Sequence, residues 1–312
     1  MNKNKISMIA LDLDRTTLRE DGTIPERTVS ALNRAGELGT DIVIATGRVF
    51  DALPAALGEL RYIRYYICSN GAAVFRAKSG SGDSEGRYEE NEDHAECSGE
   101  DLPGKPDLDS VEILMERCLD PAAVEKMVGY VRDAGLMFES FTAGRAYIGR
   151  DYYDMVDRGL LMYRNRDYVI NTRRPVDDIF GFTLDNKERI ENLNVFFPTQ
   201  EEKAAFRPLL ESIPNSTLTS SVPSNYELGG QGVSKGAALS FLMELEGVKP
   251  ENLMAAGDSP NDITMLELAG VSVAVGNAEE SVKSVCSYVA PTNEDAGVGE
   301  AVERFVLGER GI

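Results

Sequence analysis

The chain has 312 residues, a formal charge of −20 at pH 7 and four cysteines. Such an acidic surface repels phosphate backbones, so the composition argues against nucleic acid as the main partner. No segment approaches the ~20 consecutive apolar residues that span a bilayer, and the first apolar run ends at Asp12 after about six residues, too short for a secretory signal. The scattered cysteines are typical of free thiols. We therefore expect a cytoplasmic protein with no membrane partner, and the sequence is silent on its oligomeric state.

Short apolar runs alternate with helical patterns in the first and last thirds of the chain. In chain order these segments are a strand at residues 6–11, a helix in PERTVSALNRAGELG, strands in DIVIATG and YYICSNG, a helix in SKGAALSFLMELEGV, a strand in NLMAAGD, a helix in PNDITMLELAG and a strand in VSVAVGN. Runs that are apolar on both faces and separated by helices indicate a parallel sheet covered on both sides.

The middle of the chain divides into two further segments. Residues 79–110 are rich in Gly, Ser and acid, with eleven acidic against two basic side chains, a composition typical of a disordered loop. Ordered patterns resume at 111–222 and predict a separate α/β module. We therefore predict an α/β protein with a Rossmann-like core at 1–78 and 223–312, interrupted by the acidic insert and the second module.

Polar side chains follow four of the predicted strands. The carboxyl ends of strands in an open parallel sheet meet at one edge, where ligands bind. The residues at these ends are Asp12 and Asp14; Thr46, Gly47 and Arg48; Ser69, Asn70 and Gly71; and Asp258 with Asn261 and Asp262. Lys235 begins the helix before the last strand pair, so we expect it close to the same edge.

These residue types suit phosphoryl transfer. Gathered carboxylates repel one another unless a cation lies among them, and oxygen ligands suit Mg²⁺. Asp12 can form a covalent acyl phosphate, while Asp14 can donate a proton to the leaving oxygen and later take one from water. The Thr46 hydroxyl and the Lys235 ammonium would hold the phosphoryl oxygens. The sole histidine, His94, lies in the acidic insert, which argues against a His-based triad or zinc site.

The ordered motifs resemble those of the haloacid dehalogenase (HAD) superfamily. They are DLDRTTL, ATGR, SNGA, VSKGAAL and GDSPNDITMLELAG followed by VAVGNA, and their order and spacing resemble the Cof-type sugar-phosphatase branch. The segment between the motifs is similar to the inserted cap of that branch in pattern and length. The resemblance implies a HAD-like core with an inserted α/β cap domain and a Mg²⁺-dependent phosphatase for small phosphorylated metabolites, with sugar phosphates favoured.

The resemblance also implies a role for individual residues. Asp12 matches the nucleophile and Asp14 the general acid and base. Mg²⁺ would be held by Asp12, the Asp14 backbone carbonyl and Asp258, with Asp262 close by through water. The phosphate-binding residues would be Thr46, Gly47, Lys235 and Asn261, and the further site residues Arg48, Asn70 and Arg15.

Two departures from the family pattern leave alternatives open. Relatives mostly have Gly where this chain has Arg15, and Leu where it has Thr17. An Arg at a position that needs φ > 0 would be strained, or its guanidinium would help to bind an anionic substrate. The acidic insert falls where the branch usually has a short turn. The alternatives are a phosphohexomutase with the same nucleophile, a catalytically idle phosphometabolite-binding protein, and an interaction protein that acts through residues 79–110.

Overall fold

The structure is a computed structural model that describes residues 6–78, 106–161 and 165–309. Residues 79–105, which make up most of the predicted acidic insert, lie outside the described residues. The strands of the described part are, in chain order, β1 (Met8–Leu11), β2 (Asp41–Ala45), β3 (Ile63–Cys68), β4 (Ala73–Ala77), β5 (Val111–Glu116), β6 (Met137–Thr142), β7 (Arg145–Gly149), β8 (Arg173–Val176), β9 (Ile190–Phe196), β10 (Ser216–Thr219), β11 (Asn225–Gly230), β12 (Leu253–Gly257), β13 (Val271–Ala274) and β14 (Tyr288–Val289).

The helices of the same residues cover both sheets. They are α1 (Glu26–Glu37), α2 (Pro121–Ala134), α3 (Arg150–Asp157), α4 (Arg166–Thr172), α5 (Ile179–Asp185), α6 (Gln200–Glu211), α7 (Lys235–Glu246), α8 (Ile263–Leu266), α9 (Glu280–Lys283) and α10 (Gly297–Phe305). Within the described residues, none of them combines the length and apolar character that crossing a bilayer requires.

An eight-stranded sheet forms the core, in the order β14-β13-β12-β1-β2-β3-β4-β5. The first six strands in this order are parallel, and β4 and β5 add an antiparallel edge. Every residue of β1 and β12 is buried, which explains why these strands are apolar on both faces. The predicted α/β class with a Rossmann-like core and an inserted α/β cap is confirmed.

A second, six-stranded sheet has the order β10-β11-β9-β6-β7-β8 and forms the cap. Its pairs are antiparallel except for β7 with β8. Two strands near the predicted boundaries lie in the other sheet from the one expected. β5, expected in the cap, pairs with β4 of the core, and β11, expected in the core, pairs with β9 of the cap. The partner of a strand cannot be identified from its composition or its periodicity. The sequence therefore did not show which sheet β5 and β11 join.

The chain passes between the two sheets at residues 117–120 and 231–234. These two crossings touch, because a Cβ at Gly230 would lie 2.8 Å from the carbonyl oxygen of Cys118. The return crossing leads directly into α7, whose N-cap Ser234 accepts a hydrogen bond from the backbone N–H of Ala237. A hydroxyl acceptor at this position satisfies one of the free N–H groups of the first turn.

The register of the core sheet brings the acidic motifs together. β1 lies between β12 and β2, with Leu11 opposite Ala256 on one side and Ile44 on the other. The backbone N–H of Asp12 donates to the carbonyl of Ala256 at 3.0 Å. Asp12 and Asp258 therefore leave adjacent parallel strands at the same edge.

Candidate active site

A tight turn follows β1 and positions both aspartates of the first motif. The Thr17 hydroxyl donates to the carbonyl of Asp12 at 2.6 Å, and the N–H of Leu18 closes the turn on Leu13. Asp12 is buried, whereas 54% of the Asp14 side chain is exposed to the cleft. Arg15 adopts φ 62°, a left-handed conformation that costs a non-Gly residue about 1–2 kcal/mol. The turn therefore directs the two carboxylates into different surroundings.

Three buried carboxylates form what we call the core cluster, together with one lysine. Asp12, Asp258 and Asp262 each offer an oxygen within 4.8 Å of the others. The Lys235 ammonium donates to Asp12 Oδ1 and to Asp262 Oδ1, both at 2.6 Å. The Asp262 Oδ2 also accepts from the N–H groups of Asp258 and Ser259. One cation thus balances only part of the negative charge.

The pKa values of the core cluster reflect its excess of negative charge. Burial and the charge of Asp262 raise the pKa of Asp12 well above 3.8, despite the opposing effect of Lys235. The same two causes raise the pKa of Asp258 to about 6. Burial alone would lower the pKa of Lys235, but the carboxylates of Asp12 and Asp262 raise it instead. The lysine is therefore a permanent cation, and the second cation near the cluster, Arg15, reaches only Asp258.

The core cluster fits a divalent metal ion. Asp258 Oδ2 is buried and has no hydrogen-bond partner in the described part of the chain, although a guanidinium nitrogen of Arg15 lies 3.4 Å from it. Asp258 Oδ1 accepts from the Thr16 hydroxyl at 3.3 Å. Carboxylate oxygens without other donors are the ligands that hard cations prefer. The Asp14 carboxylate is not part of this group, and its backbone carbonyl remains a predicted ligand.

Arg48 binds the Asp14 carboxylate with two hydrogen bonds. Its Nε lies 2.8 Å from Asp14 Oδ2 and its Nη2 lies 2.5 Å from Asp14 Oδ1. Desolvation within the cleft would raise the pKa of Asp14, but the hydrogen bonds and charge of Arg48 outweigh it and lower the pKa. This arrangement favours the ionised form of Asp14, and separation of Arg48 from it would favour the protonated form.

The remaining predicted residues lie in the same corner. Thr46 is buried, and its hydroxyl accepts from the N–H of Arg48 at 3.1 Å. Gly47 keeps space for Asn70, whose Oδ1 would lie 3.2 Å from a Cβ at that position. Asn261 Nδ2 donates to the same Asn70 Oδ1 at 3.0 Å. The structure thus brings every sequence-predicted site residue to one edge of the core sheet.

A cavity of about 660 Å³ lies between the core edge and the cap. On the core side its lining includes Asp12, Asp14, Arg15, Gly47, Arg48, Asp258 and Asn261. On the cap side its lining includes Phe141, Tyr168, Arg173, Asn194, Phe196, Asn225 and Glu227. Thr46, Asn70, Lys235 and Asp262 are not among the lining residues. The two aspartates therefore meet the cavity while much of the network that holds them lies behind its wall.

The cap residues were missed by sequence reasoning. Arg173 is buried, donates twice to Glu139 and packs over the ring of Tyr168. Arg48 from the core packs against the same ring, with 4.8 Å from its Cζ to the centroid. Glu227 offered one signal, because it is a charged residue between Tyr226 and Leu228 in the strand NYELGG, which ends two residues before the VSKG motif. Arg173 and Glu139 are 34 residues apart, and no local pattern links them.

Comparisons with known proteins agree with this geometry. The sequence model of the haloacid dehalogenase-like hydrolases matches residues 9–85 and 107–302. The chain is 27% identical over 304 residues to the 5-amino-6-(5-phospho-D-ribitylamino)uracil phosphatase YcsE of Bacillus subtilis, covering 97% of this chain and 96% of that protein. It is 26% identical to phosphatase YwpJ of the same organism, covering 96% and 100%. The solved structure of the HAD subclass IIB sugar phosphatase BT4131 is similar in fold, with 24% identity, a TM-score of 0.73 and 96% and 98% coverage.

Proposed function

The chain belongs to the haloacid dehalogenase-like hydrolase family and is a phosphomonoester hydrolase, and from that premise we propose a Mg²⁺-dependent phosphatase that hydrolyses small phosphorylated metabolites, above all sugar phosphates, through an aspartyl phosphate. One observation carries the proposal. Asp12 lies in a buried cluster with Asp258, Asp262 and Lys235, at the floor of a cavity that the cap covers.

The metal would be held by Asp12, Asp258 and the backbone carbonyl of Asp14, with Asp262 behind them. Bound there, Mg²⁺ supplies the positive charge that lets a phosphate dianion approach a carboxylate nucleophile. Asp258 Oδ2 has no hydrogen-bond donor in the described residues, and the pKa values of Asp12 and Asp258 are raised even with Lys235 and Arg15 nearby. Both observations support this ligand set, because three carboxylates exceed the two cations beside them.

Asp12 would attack the phosphorus atom and form a mixed anhydride, while the P–O bond to the leaving group breaks. Asp14 would give its proton to the leaving oxygen, and would then take a proton from the water that hydrolyses the anhydride. Because Arg48 favours the ionised form of Asp14, we expect Arg48 to release Asp14 before the first step. The ion pair between Arg48 and Asp14 suits the second step, in which an ionised Asp14 takes a proton from water.

Three groups would bind the phosphoryl oxygens as charge spreads over them. Lys235 is a permanent cation next to Asp12 and Thr46 contributes a hydroxyl, both beyond the lining residues, and Gly47 lines the cavity itself. Fixed donors of this kind stabilise the transition state because they need no reorganisation during the reaction. Asn261 lines the cavity beside these groups, with its Nδ2 already donating to Asn70.

The cap side of the cavity favours a small polar leaving group. Asn194, Asn225 and Glu227 present carboxamide and carboxylate groups, and Phe141 and Phe196 add apolar surface. Hydroxyl groups of a sugar or polyol suit this mixture. The relatives named above support the same class, since one is named for a ribityl phosphate and another as a sugar phosphatase.

A panel of phosphorylated metabolites, with and without Mg²⁺, tests the proposal by phosphate release. We expect turnover of sugar phosphates that requires Mg²⁺ and no bisphosphate activator, and loss of turnover in Asp12→Asn. Dependence on a bisphosphate would instead identify a phosphohexomutase. Failure of the whole panel under saturating Mg²⁺ would favour a binding protein without turnover.

A further inference from the structure

The turn after β3 has three consecutive residues with positive φ. Ser69, Asn70 and Gly71 have φ values of 50°, 57° and 101°. The turn is held by backbone bonds, with the N–H of Ser69 donating to Arg48 and that of Asn70 to Thr46. Non-Gly residues in this region each cost about 1 kcal/mol or more, and such strain persists where the surroundings fix it. Its result is that the side chains of Ser69 and Asn70 both reach the cap.

Each of these two side chains binds one buried glutamate of the cap. We call Glu191 and Glu227 the cap carboxylates. The Ser69 hydroxyl donates to Glu191 Oε2 at 2.7 Å, and Asn70 Nδ2 donates to Glu227 Oε2. Glu191 and Glu227 are 1% and 3% exposed. Neither has a cation as a direct partner in the described residues, and their charge is met by neutral donors instead.

Glu227 is held as an acceptor by the cap itself. Asn225 Oδ1 accepts from the backbone N–H groups of Ser221 and Val222, which fixes the orientation of its amide. Asn225 Nδ2 then donates to Glu227 Oε1 at 2.8 Å, and the Ser221 hydroxyl donates to the same oxygen. All three partners of Glu227 are therefore donors.

The acceptor character of Glu227 sets the direction of two further amides. A carboxylate cannot donate, so Asn70 must turn its NH₂ group to Glu227 and its oxygen away. The Asn70 oxygen in turn accepts from Asn261 Nδ2 at 3.0 Å. Asn261 Oδ1 is left as a buried acceptor without a partner in the described part of the chain. A buried acceptor costs about 1–3 kcal/mol when it is unpaired, so a bound molecule or water is its expected partner.

We propose that Glu227 is a positioning residue that, through Asn70, orients the Asn261 carbonyl oxygen towards an O–H donor in the active site. The donor is a hydroxyl of the substrate or the attacking water, since Asn261 lines the same cavity as Asp12 and Asp14. The proposal rests on the proposed function for its kinetic part. It also makes the orientation depend on the docked cap, because Glu227 belongs to β11 whereas Asn70 and Asn261 belong to the core.

Glu191 provides a matched control for Glu227. Both are buried cap glutamates that bind neighbouring residues of one core turn, and burial raises the pKa of each. The core partner of Glu191 is a hydroxyl, which rotates freely between donor and acceptor, and its other oxygen accepts from the backbone N–H of Gly144 at 2.7 Å. Among residues 6–78, 106–161 and 165–309 no chain of side-chain amides leads from it to the cavity, so Glu191 docks the cap without setting an orientation.

Glu227→Gln reverses the chain of amides. Asn225 Nδ2 still faces the side chain of residue 227, so the new amide turns its oxygen there and its NH₂ to Asn70. Asn70 and Asn261 then rotate, and Asn261 presents NH₂ where its oxygen stood. We expect kcat to fall about tenfold, the worth of one hydrogen bond, with KM changed less than about threefold, whereas Glu191→Gln leaves both within about twofold.

The side-chain amide signals of ¹⁵N-labelled asparagine test the orientation without substrate. We expect the Asn70 and Asn261 signals to move in Glu227→Gln and to stay in place in Glu191→Gln. Unchanged signals would overturn the proposal, as would a kcat loss equal in both variants or a change in KM alone. If Glu227→Gln does not fold, Asn70→Ala interrupts the same chain, and unchanged kcat in that variant would also refute it. A wild type without any phosphatase activity would refute the proposed function but leave the amide shifts to decide the orientation.

Discussion

The core cluster and the cap carboxylates are both buried acids, but they are balanced in different ways. In the core cluster, Asp12 and Asp262 share the ammonium of Lys235. Asp258 Oδ2 has no hydrogen-bond donor in the described residues and only the half-exposed Arg15 guanidinium at 3.4 Å. The cap carboxylates Glu191 and Glu227 are met by hydroxyl and amide donors. A cluster that leaves charge unbalanced can take up a cation, whereas a carboxylate satisfied by neutral donors can only fix their direction. Burial alone therefore does not distinguish a reactive acid from a positioning one.

Loss of the nucleophile is the largest expected effect. Asp12→Asn keeps the shape of the side chain but removes the group that would form the anhydride, so we expect turnover to fall by about 10⁴-fold or more. Phosphate release under saturating substrate and Mg²⁺ measures it. Asp185→Asn, at an exposed position of the cap, removes the same charge and should leave turnover unchanged. Comparable turnover in Asp12→Asn would place the nucleophile elsewhere.

Removal of the lysine breaks the balance of the core cluster. Lys235→Met leaves Asp12 and Asp262 buried without their cation, and loss of one partner from a buried ion pair costs about 3–5 kcal/mol. We expect a large drop in the melting temperature in EDTA, part of which Mg²⁺ restores because it binds only the folded protein. Equal drops with and without Mg²⁺ would show that no metal occupies the cluster.

Arg48 should control the protonation of Asp14. The guanidinium lowers the pKa of that carboxyl, so Arg48→Met should raise it. Asp14 then keeps its proton to a higher pH, and the basic limb of kcat/KM moves upward with it. A ¹³C carboxyl titration follows Asp14 directly. Arg64→Met, which removes a surface partner of Asp41, is the control, and an Asp14 titration that does not move in Arg48→Met would contradict the assignment.

Substitution of Arg15 has the smallest expected effect. It distinguishes a strained Arg15 backbone from a guanidinium that binds an anionic substrate. Arg15→Gly relieves a left-handed backbone by about 0.5–1 kcal/mol and removes the cation beside Asp258. We expect the melting temperature in EDTA to rise by about 2 °C and Mg²⁺ to bind a few-fold more tightly in calorimetric titrations. Arg19→Gly, which pairs with Glu294 instead, should not change the Mg²⁺ affinity. Weaker substrate binding at unchanged Mg²⁺ affinity would identify Arg15 as a substrate anchor.

The sequence was most informative where function depends on consecutive residues. The ordered motifs predicted the family, the fold class and the enzyme class, and these predictions are confirmed. The structure also brings Asp12, Asp258 and Lys235 together, while their catalytic roles stay predictions. Parallel strands explain this success, because their ends meet at one edge and each motif follows a strand.

The cap side of the site was beyond the reach of the sequence. Arg173 and Glu139 belong to β8 and β6, which are not neighbours in the cap sheet. Their side chains pair although β7 lies between the two strands. Glu227 lies in a buried strand between Tyr226 and Leu228, where alternation predicts only an ordinary strand. Contacts between separate sheets have no fixed spacing along the chain, so periodicity cannot reveal them.

The touching crossings at Cys118 and Gly230 have a consequence for how the cap can move and be exchanged. Because the two crossings meet at one point, rotation of the cap about that point is its easiest motion. Translation of the cap would stretch both crossings. A short link in place of residues 119–229 would join backbone atoms that already lie in contact, without reordering any of the six parallel strands. An exchange of the cap at these crossings would therefore leave the core strands and the residues at their carboxyl ends in their present order.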